Sequence, residues 1–149
     1  MAETVLTFDA PWAVSLQCDR GPAAQFAAEQ LSDTLSRITG QSVRLGEGGA
    51  PGDRQIVLEH SHRADDGFAW EVTPGQVALR GHNARGLLNA VYAFLEALGC
   101  RWPYPGVAEL PEGTRFSIPE RQETAPALPG RCLILGHNIF VREAPQWVE

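Results

Sequence analysis

Lysine is absent: all twelve basic residues are arginine. Eighteen acidic residues outweigh them, the net charge is −6, and the arginines are scattered rather than gathered into a stripe. Nucleic acid and anionic membranes call for concentrated positive charge, so both are excluded as expected partners. Cysteine is scarce too. Cys18, Cys100 and Cys132 are odd in number and far apart. That fits neither a disulfide framework nor a zinc motif, and the three read as small buried hydrophobes in a reducing compartment. No run is long and apolar enough to span a bilayer. Met1-Ala2-Glu3 lacks the basic and apolar regions of a signal peptide. The odd cysteine count and the missing leader together favour a cytoplasmic location.

What is present is enough apolar material for a core. Hydrophobic residues make up 44% of 149 positions. A chain of this length suits one domain plus a tail and buries about two thirds of its unfolded surface. Residues 4–8 and 13–16 are short β-prone runs broken by Asp9-Ala10-Pro11. A helix follows, with Pro22 in its first turn and Gly40 as its stop. Ala23, Phe26, Ala27, Leu31, Leu35 and Ile38 recur at three- and four-residue steps and are expected to share its buried face. Residues 43–45 and 55–59 read as strands, separated by the flexible loop 46–52. A polar loop, 60–66, comes next. Residues 68–72 and 76–80 flank Thr73-Pro74-Gly75, a hairpin signal.

A second helix is expected from about Asn83, its N-cap, to Leu98, with Gly99 ending it. Leu87, Leu88, Val91, Phe94, Leu95 and Leu98 form its apolar stripe. The economical arrangement is a mixed sheet with both helices on one face, an α/β (α+β) sandwich. The helices are expected to pack through Phe26, Leu31, Leu35, Leu88, Val91 and Leu95. Residues 103–130 carry many prolines and little periodicity, and read as an ordered linker wrapping a surface. Residues 131–135 read as a buried strand with nothing after it to complete a fold, and residues 143–149 as the opening of a helix. The chain is therefore expected to stop inside a second domain.

Three ordered motifs carry a family resemblance. The first is Phe26-Ala27-Ala28-Glu29-Gln30-Leu31 with Ile38-Thr39-Gly40. The second runs from Gly81 to Glu96, with Arg85-Gly86 and Ala90-Val91-Tyr92 at its centre. The third is Leu98-Gly99-Cys100-Arg101-Trp102 followed by Pro105-Gly106. Together they resemble the non-catalytic domain that precedes the barrel in bacterial α-glucuronidases and β-N-acetylhexosaminidases, over roughly residues 1–120. The resemblance implies a zincin-like sandwich without a metal centre, and no His-Glu-x-x-His occurs. It implies an accessory domain over 1–120, then a linker and the truncated start of a (β/α)8 barrel over 121–149. The partner is then the C-terminal catalytic barrel of the same polypeptide, and carbohydrate substrate meets that barrel. No cofactor is implied. The alternative is a free-standing carbohydrate-binding module.

The candidate chemistry is thin. His60-Ser61-His62, with His82, lacks the converging ligands of a metal site and reads as a solvated loop. The glycine-rich loop 46–52 runs into Pro51 and a strand, not a helix, so it is no phosphate cradle. Asp65 and Asp66 are adjacent and are expected to point apart, whereas a glycosidase needs two carboxyls facing across a cleft. Arg85 reads as a structural salt bridge to a strand or the linker. Trp102 and Tyr104 read as interdomain anchors, although aromatic faces also stack on sugars. No catalytic residue and no metal ligand is expected within the chain. His137 and Asn138 follow the expected barrel strand at its C-terminal end, where such barrels keep their active sites. They are the candidate substrate contacts of the full-length enzyme.

Overall fold

A computed structural model describes residues 2–46 and 54–127. Ten strands and two helices occur in them: β1 (Glu3–Thr7), β2 (Trp12–Leu16), α1 (Pro22–Thr39), β3 (Arg44–Leu45), β4 (Arg54–His60), β5 (Phe68–Thr73), β6 (Gln76–Gly81), α2 (Ala84–Ala97), β7 (Arg101–Tyr104), β8 (Val107–Glu109), β9 (Arg115–Pro119) and β10 (Arg121–Thr124). Six strands make one mixed sheet in the order β10-β5-β6-β4-β2-β3. β3, β2, β4 and β6 run parallel, and β5 and β10 are antiparallel to their neighbours. β1 pairs with β9, and β7 with β8, as small antiparallel ribbons.

Strand alternation divides the sheet residues between two faces. Val14, Ile56, Leu58, Trp70, Val72, Val77 and Leu79 join the buried core with the inner residues of α1 and α2. Both helices cover this one face, as their apolar stripes dictate. The opposite face carries Glu59, Glu71 and Arg80 alternating with small residues such as Ala78. Arg80 pairs with Glu59, and reaches Glu71 at 3.6 Å. Arg121 of β10 approaches Glu71 at 3.9 Å. These ion pairs run across the outer face from β4 to β10.

The helix ends match their local signals. Pro22 sits at the start of α1, and Gly40 closes it in the left-handed conformation (φ 68°), donating its N–H to the Ser36 carbonyl at 3.0 Å. A residue with a Cβ would be strained there. Two serines then tie α1 to the chain beyond it. Ser32 Oγ donates to the Val43 carbonyl at 2.7 Å, and Ser36 Oγ accepts from the Val43 N–H at 3.0 Å.

Three expectations need correction. Phe26 is not in the core; it is 46% exposed. It lies about 200° around the helix from both Ala24 and Ala28, and those alanines face inward with Ala27, Leu31, Leu35 and Ile38. Leu88 is only partly buried, and Leu87 takes the inner position. Residues 103–127 are not merely a surface wrap, because they supply β8, β9 and β10. Ile118 is fully buried, and the Pro119 carbonyl accepts from Trp70 Nε1 at 3.0 Å. Residues 121–124 extend the sheet as an edge strand. Strands of three to five residues at an edge bury too few alternate positions to show a period. The readings of residues 131–135 and 143–149, and of Cys132, His137 and Asn138, lie outside the described residues.

Candidate functional site

The densest polar cluster sits where the parallel strands β4 and β6 end and α2 begins. Asn83 adopts an extended conformation, and its Oδ1 accepts from the Gly86 N–H at 2.8 Å, a side-chain cap as its position before the helix implies. Its amide donates to the Asp65 carbonyl at 2.8 Å and to Asp66 Oδ1 at 3.1 Å. The cap thus also grips the loop between β4 and β5. That loop is stitched down further: His82 N–H donates to the Gly67 carbonyl at 2.7 Å, and Arg63 N–H to the His82 carbonyl at 2.8 Å. The glycines make this closeness possible. A Cβ on Gly81 would lie 2.1 Å from the Leu87 nitrogen, and one on Gly86 would lie 2.5 Å from the Gly67 carbonyl oxygen.

His82 Nδ1 bonds Asp65 Oδ1, and its Nε2 lies 3.3 Å from Arg63 Nη1. A guanidinium only donates, so Nε2 accepts and the ring proton sits on Nδ1, directed at Asp65. Asp65 also accepts from the Gly67 N–H at 2.7 Å. The His82 bond first, and this second one, hold its carboxyl below the usual aspartate range. An Asp–His pair is also the orienting half of a nucleophilic triad. Here the second ring nitrogen is taken by Arg63, and Ser61 Oγ lies 3.5 Å from the His82 backbone carbonyl. The pair therefore works as a clamp on the loop.

Asp65 and Asp66 engage different partners, as adjacent turn residues do. Asp66 meets Asn83 and Arg85, the latter at 3.5 Å. Arg85 thus forms an ion pair, but with the loop between β4 and β5 and not with a strand or the linker. His60 and His62 stack edge to face, 5.3 Å between centroids. Among the described residues, no three His, Cys, Asp or Glu side chains converge as a metal site would need. A cleft of about 330 Å³ is lined by Glu59, His60, Ser61, Arg63, Arg80 and His82. Its size suits a small ligand, but Arg63, Arg80 and His82 are each bonded to protein neighbours.

The aromatic expectation falls elsewhere. β7 turns back beside α2, and Trp102 meets Tyr92 edge to face, 5.1 Å between centroids at 80°. The hairpin then turns through Pro105-Gly106, and Tyr104 at its tip is 71% exposed. The structure thus places Trp102 against Tyr92 of α2 and leaves Tyr104 exposed beside the hairpin turn. Cys100 is buried and Cys18 half-buried, and burial pushes both thiols up, which keeps them protonated. One feature carried no sequence signal that spacing could reveal. Arg54 binds Asp9 and the Thr7 carbonyl, the latter at 2.9 Å, and lies 5.9 Å above the Trp12 ring. These partners sit 45 or so positions away, so only the sheet brings them together.

Two helices on one face of a mixed sheet, with short C-terminal strands closing its edge, define a two-layer α+β domain. The family model for domain 2 of glycosyl hydrolase family 20 matches residues 4–114, and the chain belongs to that family. No curated protein sequence matches it. Among solved structures it is similar to a family GH115 4-O-methyl-α-glucuronidase with specificity for decorated arabinogalactans, at a TM-score of 0.63 and 14% identity, over 84% of this chain and 19% of that one. It is also similar to the GH20 exo-β-N-acetylglucosaminidase of Vibrio harveyi (TM-score 0.54, 15% identity, 83% of this chain and 17% of that one). The chitobiase of Flavobacterium johnsoniae matches at a TM-score of 0.53 and 12% identity, over 83% of this chain and 20% of that one. At such identities the likeness is one of fold. The chain spans about a fifth or less of the length of these enzymes. It is a domain of glycoside hydrolases, and the resemblance to both enzyme groups holds.

Proposed function

We propose that residues 1–120 form an accessory domain that braces the catalytic barrel of a glycoside hydrolase, and that residues 121–149 lead into that barrel. The observation that carries this reading is the family match joined to the small share of the related enzymes that the fold occupies. Supporting it, the polar groups clustered at the start of α2 are spent on holding the loop and the helix together. The two adjacent aspartates face separate partners and do not form the opposed pair that glycoside hydrolysis requires. Trp102 and Tyr104 are assigned to the contact with the barrel.

The test belongs in the full-length polypeptide. Deleting residues 1–120 should lower its Tm and its yield of folded protein. Residues 1–149 alone should not turn over aryl glycosides or uronic-acid-capped xylo-oligosaccharides. Turnover by the fragment, abolished by a substitution within it that leaves its fold intact, would overturn the accessory role.

His137 and Asn138 are assigned to substrate, because they follow an expected first barrel strand at the end where active sites of such barrels lie. His137→Ala and Asn138→Ala in the full-length enzyme should reduce kcat/KM while leaving Tm in place. Unchanged kinetics in both variants eliminates this assignment, and equal losses of Tm and activity make the residues structural.

A further inference from the structure

β10 is the last strand at one side of the main sheet. It pairs with β5, and among the described residues no strand lies beyond it. An open groove lined by Ala2, Glu120, Arg121, Gln122 and Glu123 runs beside it. Such an edge presents backbone donors and acceptors that another strand can use. The hydrogen bonds decide which groups these are. The Glu120 carbonyl accepts from the Val72 N–H at 2.8 Å, so it faces β5. A planar trans peptide turns its N–H opposite to its carbonyl, so the Arg121 N–H faces outward. Alternation along the strand then turns the Arg121 carbonyl and both backbone groups of Glu123 to the open side, while Gln122 and Thr124 serve β5.

Charge selects what can fill this edge. Arg121 lies opposite Glu71 and Glu123 opposite Ala69, so both side chains stand on the sheet face turned away from the helices. Charge on an edge strand ordinarily keeps other strands away. β10 instead carries one charge of each sign, on the two residues whose backbone is open. A second β10 related by a two-fold axis runs antiparallel to the first, and open residues must meet open residues. Arg121 against the partner's Arg121 opposes two guanidiniums. Glu123 against the partner's Glu123 opposes two carboxylates. The remaining register sets Arg121 against the partner's Glu123, and Glu123 against the partner's Arg121. It makes an ion pair on either side of the axis, and each opposed pair exchanges both backbone hydrogen bonds. A parallel, in-register pairing would put like charges side by side, which is unfavourable.

We propose that β10 is a homodimerisation edge, at which two copies of the polypeptide pair antiparallel through residues 121–124, centred on Gln122, and join their sheets into one. Closed two-fold symmetry is the commonest assembly of identical chains. Glu71 of β5 stays 3.9 Å from Arg121, so the guanidinium lies between a carboxylate of its own sheet and one of the partner. The dimer does not depend on the bracing role.

Sedimentation equilibrium of the full-length polypeptide tests it. The wild type should show a reversible monomer–dimer equilibrium. Arg121→Glu leaves two acids on the edge and Glu123→Arg two bases, so each variant should dimerise several-fold more weakly. Mixed in equal amounts, the two should recover the dimer, because every acid then meets a base. That recovery also shows both variants to be folded. Glu123→Pro removes an outward N–H that β5 does not use, and proline is tolerated on such an edge. It should abolish the dimer while leaving the circular dichroism of the monomer unchanged. A wild type that stays monomeric at every attainable concentration overturns the proposal. So does a dimer that Glu123→Pro leaves intact, or a mixture of the two charge variants that sediments no differently from its components.

Discussion

Leu35 and Phe26 sit on the same helix and have opposite surroundings. Leu35 is fully buried between α1 and the sheet, while Phe26 stands outside. Leu35→Ala should therefore cost about 2–5 kcal/mol. Phe26→Ala in residues 1–149 should change stability by no more than about 0.5 kcal/mol. Urea unfolding of both variants checks the pair, and equal losses would contradict the orientation of α1. Asp65 gives a pH-dependent counterpart. Its folded carboxyl titrates below its unfolded value because His82 and the Gly67 N–H favour the anion. Such a group contributes stability above the unfolded value, about pH 4, and loses that contribution as pH falls through the folded one. Asp65→Asn keeps the shape and an acceptor oxygen but not the charge. The variant should be less stable than wild type at neutral pH, and the gap should close in acid. A gap that is constant from pH 7 to pH 3 would remove the charge from the explanation.

At the scale of elements, the junction of β6 with α2 holds the loop after β4 as well as the helix itself. Asn83 caps α2 and donates twice to that loop, so Asn83→Ala should cost more than an ordinary cap, which is worth about 1 kcal/mol. Gly86 meets the Gly67 carbonyl too closely for any Cβ. Gly86→Ala should therefore separate the loop from the helix. Hydrogen exchange should show this as lost protection at the His82 amide, which bonds the Gly67 carbonyl. Undiminished protection would show that the close approach is dispensable. The same reasoning applies to β9 and β10, which close one side of the core through Ile118 and extend the sheet beside β5. A chain ending at residue 114 loses both strands, leaves Trp70 Nε1 without its Pro119 partner, and should expose Trp70.

For the whole molecule, the sheet face turned away from the helices carries a set of paired charges. Surface ion pairs as open as those of Arg80 and Arg121 contribute about 0–1 kcal/mol each. Their value to the domain lies in keeping that face soluble.

The sequence alone determined both helices and their caps, the presence of the core strands but not their parallel pairing, the Thr73-Pro74-Gly75 hairpin and the family. Each is written locally: by 3.6-residue periodicity, by Pro22, Gly40 and Asn83, and by motifs contiguous in the chain. The inward phase of α1 was less legible. A phenylalanine outweighs an alanine in hydrophobicity, and only the sheet shows that Ala24 and Ala28 face it. The strands within residues 103–127, the His82–Asp65 clamp and the Arg54 staple were decided by tertiary structure. Short edge strands bury too little to imprint a period. Side chains 17 to 47 positions apart meet only after the sheet has set their distance.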